Sequence, residues 1–191
     1  MTTKPSVFAA LGKTLTLSVL SVALALPTYA QKTTETGKAG AKSPHVKTEW
    51  VVAPANISIE YGRPSLKGRD MEALMRENGP EWRTGADQPS IITTDKALKF
   101  GNVTLQPGSY TINTVPGDTE WQIAFGKLAT PPQWGVPYRK DLEIARAPMK
   151  LGKTAAPVEM VTFLIEPGKS AGTLKIEWGT KSASIPFTVL P

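Results

Sequence analysis

Arginine set beside glycine is the most suggestive chemistry in this chain. Arg63, Arg69, Arg76 and Arg83 are four of its six arginines, and all lie between positions 63 and 83. They occur in the runs Tyr61-Gly62-Arg63-Pro64, Lys67-Gly68-Arg69 and Trp82-Arg83-Thr84-Gly85-Ala86-Asp87. A guanidinium is a permanent charge whose forked donors match a carboxylate or phosphate. A neighbouring glycine lets backbone approach closely. Arg63, Arg69 and Arg83, with Asp87 beside them, are therefore expected to line a site for an anionic or polar ligand. The same residues could instead be a brace, pairing with Glu60, Glu81 or Asp87 to pin a long loop, since a buried arginine must be paired. The sequence leaves both readings open.

A second constellation is the loop 131–139, where prolines and Gly135 exclude regular structure and Trp134 and Tyr138 lie close together. An aromatic pair on a loop can carry a sugar ring, with Gln133 or Arg139 supplying hydrogen bonds. The simpler expectation has Trp134 turned inward, because aromatics usually spend their large apolar area on a core.

Most catalytic machinery is missing. There is no cysteine, so thiol catalysis, thiolate metal sites and disulfides fall away together, and His45 is the only histidine. No pair of soft or imidazole ligands exists for zinc. A Ser-His-Asp triad would have to recruit His45, and no nucleophile elbow or phosphate-cradling glycine loop is present. Asp118 and Glu120 at a turn do not have the spacing of a calcium loop. No catalytic residue, metal or cofactor is thus assigned. Carboxylate-pair chemistry is the exception, because glycoside hydrolysis needs only two acids. Glu60, Glu81 and Asp87 are the acids for that alternative, a hydrolase acting on envelope glycans.

The elements that must position these residues are mostly strands. Ile57, Ile59 and Tyr61 alternate with polar neighbours, as do Trp121, Ile123 and Phe125, and Leu174, Ile176 and Trp178. A period of two is the pattern of a strand with one dry face. Residues 160–165 are apolar on nearly both faces and belong centrally in a sheet. Pro-Gly pairs at 107–108, 116–117 and 167–168 predict hairpin turns. Pro186 within residues 184–189 removes a ladder donor and predicts an edge strand. One short helix is expected inside the longest connection, 62–89: Asp70 caps it, Met71, Leu74 and Met75 form its apolar stripe, and Gly79-Pro80 ends it. The fold predicted is all-β, a single jelly-roll-like β-sandwich with one short helix in a long inter-strand insertion.

The first thirty residues read differently. Lys4 and Lys13 precede an apolar run from Leu15 to Leu26, and Thr28-Tyr29-Ala30 offers a small-x-small exit. That is a secretory signal, too short and too often interrupted by serine for a membrane span. Residues 31–43 are small and polar and are expected to be a flexible tether. Residues 44–191 are then the β-sandwich domain. Removing the leader takes two lysines and no acid, so the formal charge falls from +6 to +4. This scattered excess does not make the basic stripe of a nucleic-acid reader.

Several of these runs together resemble a known family. Ser43-Pro44, Tyr61-Gly62-Arg63-Pro64, Lys67-Gly68-Arg69, Trp82-Arg83-Thr84-Gly85-Ala86, Leu105-Gln106-Pro107-Gly108-Ser109-Tyr110, Trp121 and Gln133-Trp134-Gly135 are similar, in that order, to domain-of-unknown-function family 2911. The resemblance implies an exported bacterial β-sandwich with no assigned activity. The family commonly follows Trp-Arg-Thr-Gly-Ala with Asn-Glu, whereas Asp87-Gln88 stands here, so a role for that acidic position would be shifted. The expectation is an exported, periplasmic or secreted, non-catalytic ligand-binding or interaction module. Its partner would be an envelope glycan, an anionic small molecule or an envelope protein. A purely structural envelope role is the other alternative.

Overall fold

The computed structural model describes residues 1, 31–37, 41–77, 79–131 and 138–191. Residues 2–30 of the expected leader and Trp134, with most of its loop, lie outside the described residues. Ten strands are present: β1 (Gln31–Glu35), β2 (His45–Val52), β3 (Ala55–Gly62), β4 (Ser90–Thr94), β5 (Leu98–Phe100), β6 (Val103–Leu105), β7 (Gly108–Val115), β8 (Glu120–Gly126), β9 (Glu143–Gly168) and β10 (Ala171–Val189). They form one sheet in the order β1-β2-β3-β4-β7-β8-β9-β10-β5-β6. Each neighbouring pair is antiparallel. The fold is all-β with one short helix, α1 (Met71–Arg76). Among the described residues no helix is long and apolar enough to cross a membrane.

The alternating segments bury the side chains expected of them. Ile57, Ile59 and Tyr61 of β3, Trp121, Ile123 and Phe125 of β8, and Leu174, Ile176 and Trp178 of β10 are all buried. Each such aliphatic or phenyl side chain contributes about 1.5–3 kcal/mol relative to exposure. Tyr61 packs edge-on against Phe163 of β9 at 4.8 Å, and its hydroxyl accepts from the Phe163 N–H. Trp82 stacks on Trp178 at 5.4 Å and meets Trp121 edge-to-face at 6.4 Å.

Several local expectations change. Residues 31–35 of the expected tether form β1, paired with β2 from Gln31↔Trp50 to Glu35↔Val46. All five are exposed, so no periodicity advertised the strand. Pro-Gly at 116–117 and 167–168 serve the β7–β8 and β9–β10 hairpins. Pro107-Gly108, by contrast, opens β7 after a crossover from β6, which is not its neighbour. Pro186 does not lie on an edge strand. It falls where β10 exchanges partners, after Ser184 leaves Lys150 of β9 and before Thr188 meets Lys99 of β5. A residue without a backbone donor costs least at such a changeover. The ends of β10 also lie side by side. Val189 N donates to Ser170 O, and a Cβ on Gly172 would come within 2.7 Å of the Phe187 ring.

Candidate functional site

The insertion between β3 and β4 is held at both ends, and each end has its own sequence logic. Its first leg uses a break in the β9–β10 ladder. Thr162 pairs with Glu177 and Val158 with Gly179, so three residues of β9 face one of β10. The displaced backbone is taken up by the insertion: Val161 N donates to Pro64 O, and Leu66 N to Glu159 O. Arg63 finishes this seam. Its Nε donates to Val161 O at 3.0 Å and its Nη2 to Thr162 Oγ1 at 2.9 Å.

The short helix follows, capped by Asp70, which accepts from the N–H groups of Glu72 and Ala73. Met75 is buried, while Met71 and Leu74 pack against the core. Gly79, at φ 112°, then turns the chain back. Two turns of helix are marginal alone, so packing holds this one in place.

The second leg, Trp82 to Asp87, is strapped to β7 and β3. Trp82 and Thr114 exchange both backbone hydrogen bonds, at 2.7 and 2.8 Å. The Thr84 hydroxyl shares its one hydrogen between Trp82 O and Thr114 Oγ1, and the Ser90 hydroxyl donates to Thr84 O. Thr84 and Asp87 both have positive φ, 55° and 65°, which disfavours residues with a Cβ. The surrounding bonds over-determine that conformation. Gly62 and Gly85 let the leg lie directly on β3. A Cβ on Gly62 would stand 2.5 Å from Ala86 O, and one on Gly85 would stand 2.9 Å from Gly62 O. At the end of this leg Asp87 meets His45, with Oδ2 and Nε2 3.1 Å apart and side chains only 14% and 2% exposed.

Between the two legs lies a cleft of about 540 Å³, bounded by Lys42, Lys67, Arg69, Glu77, Arg83 and Asp87 above a floor that includes Leu74, Trp82 and Trp178. Arg69 donates from Nε to Leu66 O at 3.1 Å and from Nη2 to Ser65 O at 2.6 Å. Arg83 makes one long contact, Nη1 to Asp87 O at 3.3 Å. Two of the three acids expected to neutralise these arginines are engaged elsewhere: Glu81 pairs with Arg146 at 3.0 Å and the Asp87 carboxylate with His45. Among the described residues, Arg63, Arg69 and Arg83 make no ion pair. They donate to carbonyls and one hydroxyl, so their charge is not cancelled.

Tyr138 sits in a different environment, away from this cleft. Its hydroxyl donates to Glu143 Oε2, and Arg146 lies over its ring at 5.8 Å. Arg146 also donates from Nε and Nη2 to Glu143, and Lys140 Nζ reaches both Glu143 oxygens at 2.9 Å. Hydrogen bonds from Arg146, then from Tyr138 and Lys140, overcome the cost of burial and hold Glu143 down to about 2. Burial first, and then the Glu143 bond, push the Tyr138 phenol well above its usual range.

Of the residues singled out from the sequence, Arg69, Arg83 and Asp87 converge on one cleft. Arg63 is turned to the β9 seam, and Tyr138 belongs to the Glu143 cluster. Trp82 is buried and stacked on Trp178. Sequence reasoning missed Lys42, Glu77 and Trp178 as cleft residues and His45 as the partner of Asp87. The 42 positions separating that last pair hide it. Lys67 was visible only as part of Lys67-Gly68-Arg69. Among the described residues no group of three or more His, Asp or Glu gathers as a metal set would.

The profile of the family described as "Protein of unknown function (DUF2911)" matches residues 43–187. The chain belongs to that family. Comparison with curated proteins and with solved structures gives no match. The match covers every cleft residue but Lys42, so the insertion of this DUF2911 chain is part of the family domain.

Proposed function

We propose that this DUF2911 domain is an exported, non-catalytic binding module whose insertion cleft receives a small anionic ligand. The observation that carries the reading is the placement of Lys42, Lys67, Arg69 and Arg83 around one cleft without carboxylate partners for either arginine. A volume of about 540 Å³ is in the range of small-molecule sites. The apolar floor would carry the body of the ligand while the rim reads its charge.

A brace role for the insertion is favoured by Arg63, whose donors are spent on β9. Hydrolysis by a carboxylate pair is disfavoured, since Glu81 and Asp87 are engaged by different partners, Arg146 and His45. Export rests on the leader-like residues 1–30. The sandwich reading is supported by the Tyr61–Phe163 contact between β3 and β9 and by the approach of the two ends of β10. β3 and β9 are not neighbours in the ladder order, and β10 can meet its own end only by bending, as expected of a sheet folded into two layers.

A thermal-shift screen against phosphates, carboxylates, envelope sugars and peptidoglycan fragments tests the proposal. A ligand at a hundredfold over its Kd adds about 2.7 kcal/mol of stability, which such a screen detects readily. Anions should stabilise the wild type and fail to stabilise a folded Arg83→Ala variant. Stabilisation by neutral sugars alone, or by anions equally in Arg83→Ala, would refute it.

A further inference from the structure

From the donor geometry of the two cleft arginines, and resting on the anion-binding reading above, we infer that the cleft selects a small dianion and that Arg83 is the residue that grips it in bidentate fashion. The first part follows from the charges on the rim. Lys42, Lys67, Arg69 and Arg83 bring four positive charges, against the carboxylates of Glu77 and Asp87. Since His45 already faces Asp87, at least two positive charges among the lining residues are left for the occupant to balance. A singly charged ligand would leave one of them uncompensated beside an apolar floor, where charges are screened less than in open solvent.

The second part follows from which donors are already spent. A guanidinium grips an oxyanion best through two parallel N–H groups on one edge, and the Nε/Nη2 edge is one such fork. Arg69 has committed that edge to the Leu66 and Ser65 carbonyls. It is thereby fixed in place, with only the hydrogens of its end-on Nη1/Nη2 edge left for a ligand. Arg83 is engaged only through Nη1, on Asp87 O. Its Nε/Nη2 edge is uncommitted among the described residues. The two arginines are thus not equivalent: Arg69 has spent its Nε/Nη2 fork on the chain, and Arg83 keeps its own. Lys42 and Lys67 contribute point charges, which suit a phosphate or a second carboxylate without dictating its orientation.

Two chemistries carry two charges on a small body, a phosphate monoester and a dicarboxylate, and the cleft's requirement is common to both. Isothermal titration calorimetry of the chain as purified, at constant ionic strength, separates them. The probes are glycerol phosphate, succinate, acetate and dimethyl phosphate. At least one of the two dianions should bind ten times or more tightly than both monoanions, and which one does so identifies the source. Arg83→Lys, which keeps the charge and loses the fork, should weaken the favoured dianion at least tenfold. Arg69→Lys should weaken it less than Arg83→Lys does. Thermal denaturation of each variant distinguishes a lost fork from a lost fold, with Arg83→Gln as a second, uncharged probe if Arg83→Lys is unstable. Equal affinity for monoanions and dianions, or an Arg83→Lys variant that binds like wild type, would overturn the inference while leaving an anion site in place. No binding of any anion would instead bring down the functional reading beneath it.

Discussion

The insertion cleft and the cluster around Glu143 are made from the same kinds of residue and do opposite things with them. Around Glu143, two cations and a phenol converge on one carboxylate, and Arg146 has a second acid in Glu81. Donors and acceptors are matched there, which is what a brace requires. In the cleft, Arg69 and Arg83 spend donors on carbonyls, so hydrogen bonds are satisfied while charge is not. Carbonyl oxygens orient a guanidinium at little cost to its field. A cluster of arginines is therefore a brace or a receptor according to what accepts its hydrogen bonds, and residue type alone does not decide.

That contrast can be broken by substitution. Arg146→Ala should have the largest effect, lowering stability by about 3 kcal/mol, the lower end for breaking a buried ion pair. Urea denaturation measures it, and a loss below 1 kcal/mol would mean the cluster is not a brace. Gly62→Ala comes next, at about 2 kcal/mol, as for overpacking, because the new methyl meets the Ala86 carbonyl. Arg63→Ala removes two charge-assisted bonds and should cost about 1.5 kcal/mol, the lower end for bonds to a charged group, with ligand binding retained. Arg83→Ala is the smallest: under about 1 kcal/mol, since only one long carbonyl contact is lost. If Arg83→Ala proves as damaging as Arg146→Ala, the two regions are alike and the cleft is structural.

Acid titration sharpens the same comparison. Glu143 is held from its ordinary 4.5 down to about 2, chiefly by Arg146. A lowered folded value means its contribution to stability is complete above 4.5 and disappears as pH falls toward 2. The stability gap between wild type and Glu143→Gln should therefore be widest at neutral pH and close across that interval. A gap independent of pH would remove the charge from the explanation.

How much of this was legible in the sequence depends on whether one residue's neighbours carry the signal. The β3, β8 and β10 alternations and the Asp70 cap are local patterns, and the structure follows them. β1 was hidden because Gln-Lys-Thr-Thr-Glu has no apolar period, and backbone pairing with β2 suffices to hold it. Pro186 misled because a proline reports a missing donor, which a changeover between partners accommodates as well as an edge does. The arginines of the insertion were visible as a group. Sorting Arg63 from Arg83 was not possible, since each side chain's fate is set by β9 or by the turn at Asp87. The pairing of Glu81 with Arg146, 65 positions away, which takes an expected brace partner out of the cleft, has no local signature at all.

The tryptophans beneath the cleft have an optical consequence. Trp82 lies flat on Trp178 and at right angles to Trp121, with ring centres 5.4 and 6.4 Å apart. Indoles this close share excitation, so the three should act as one chromophore rather than as separate reporters. Trp82 comes from the insertion, whereas Trp121 and Trp178 come from the sheet. The near-ultraviolet dichroism of the unlabelled protein is therefore a gauge of whether the insertion is seated, legible before any ligand is known.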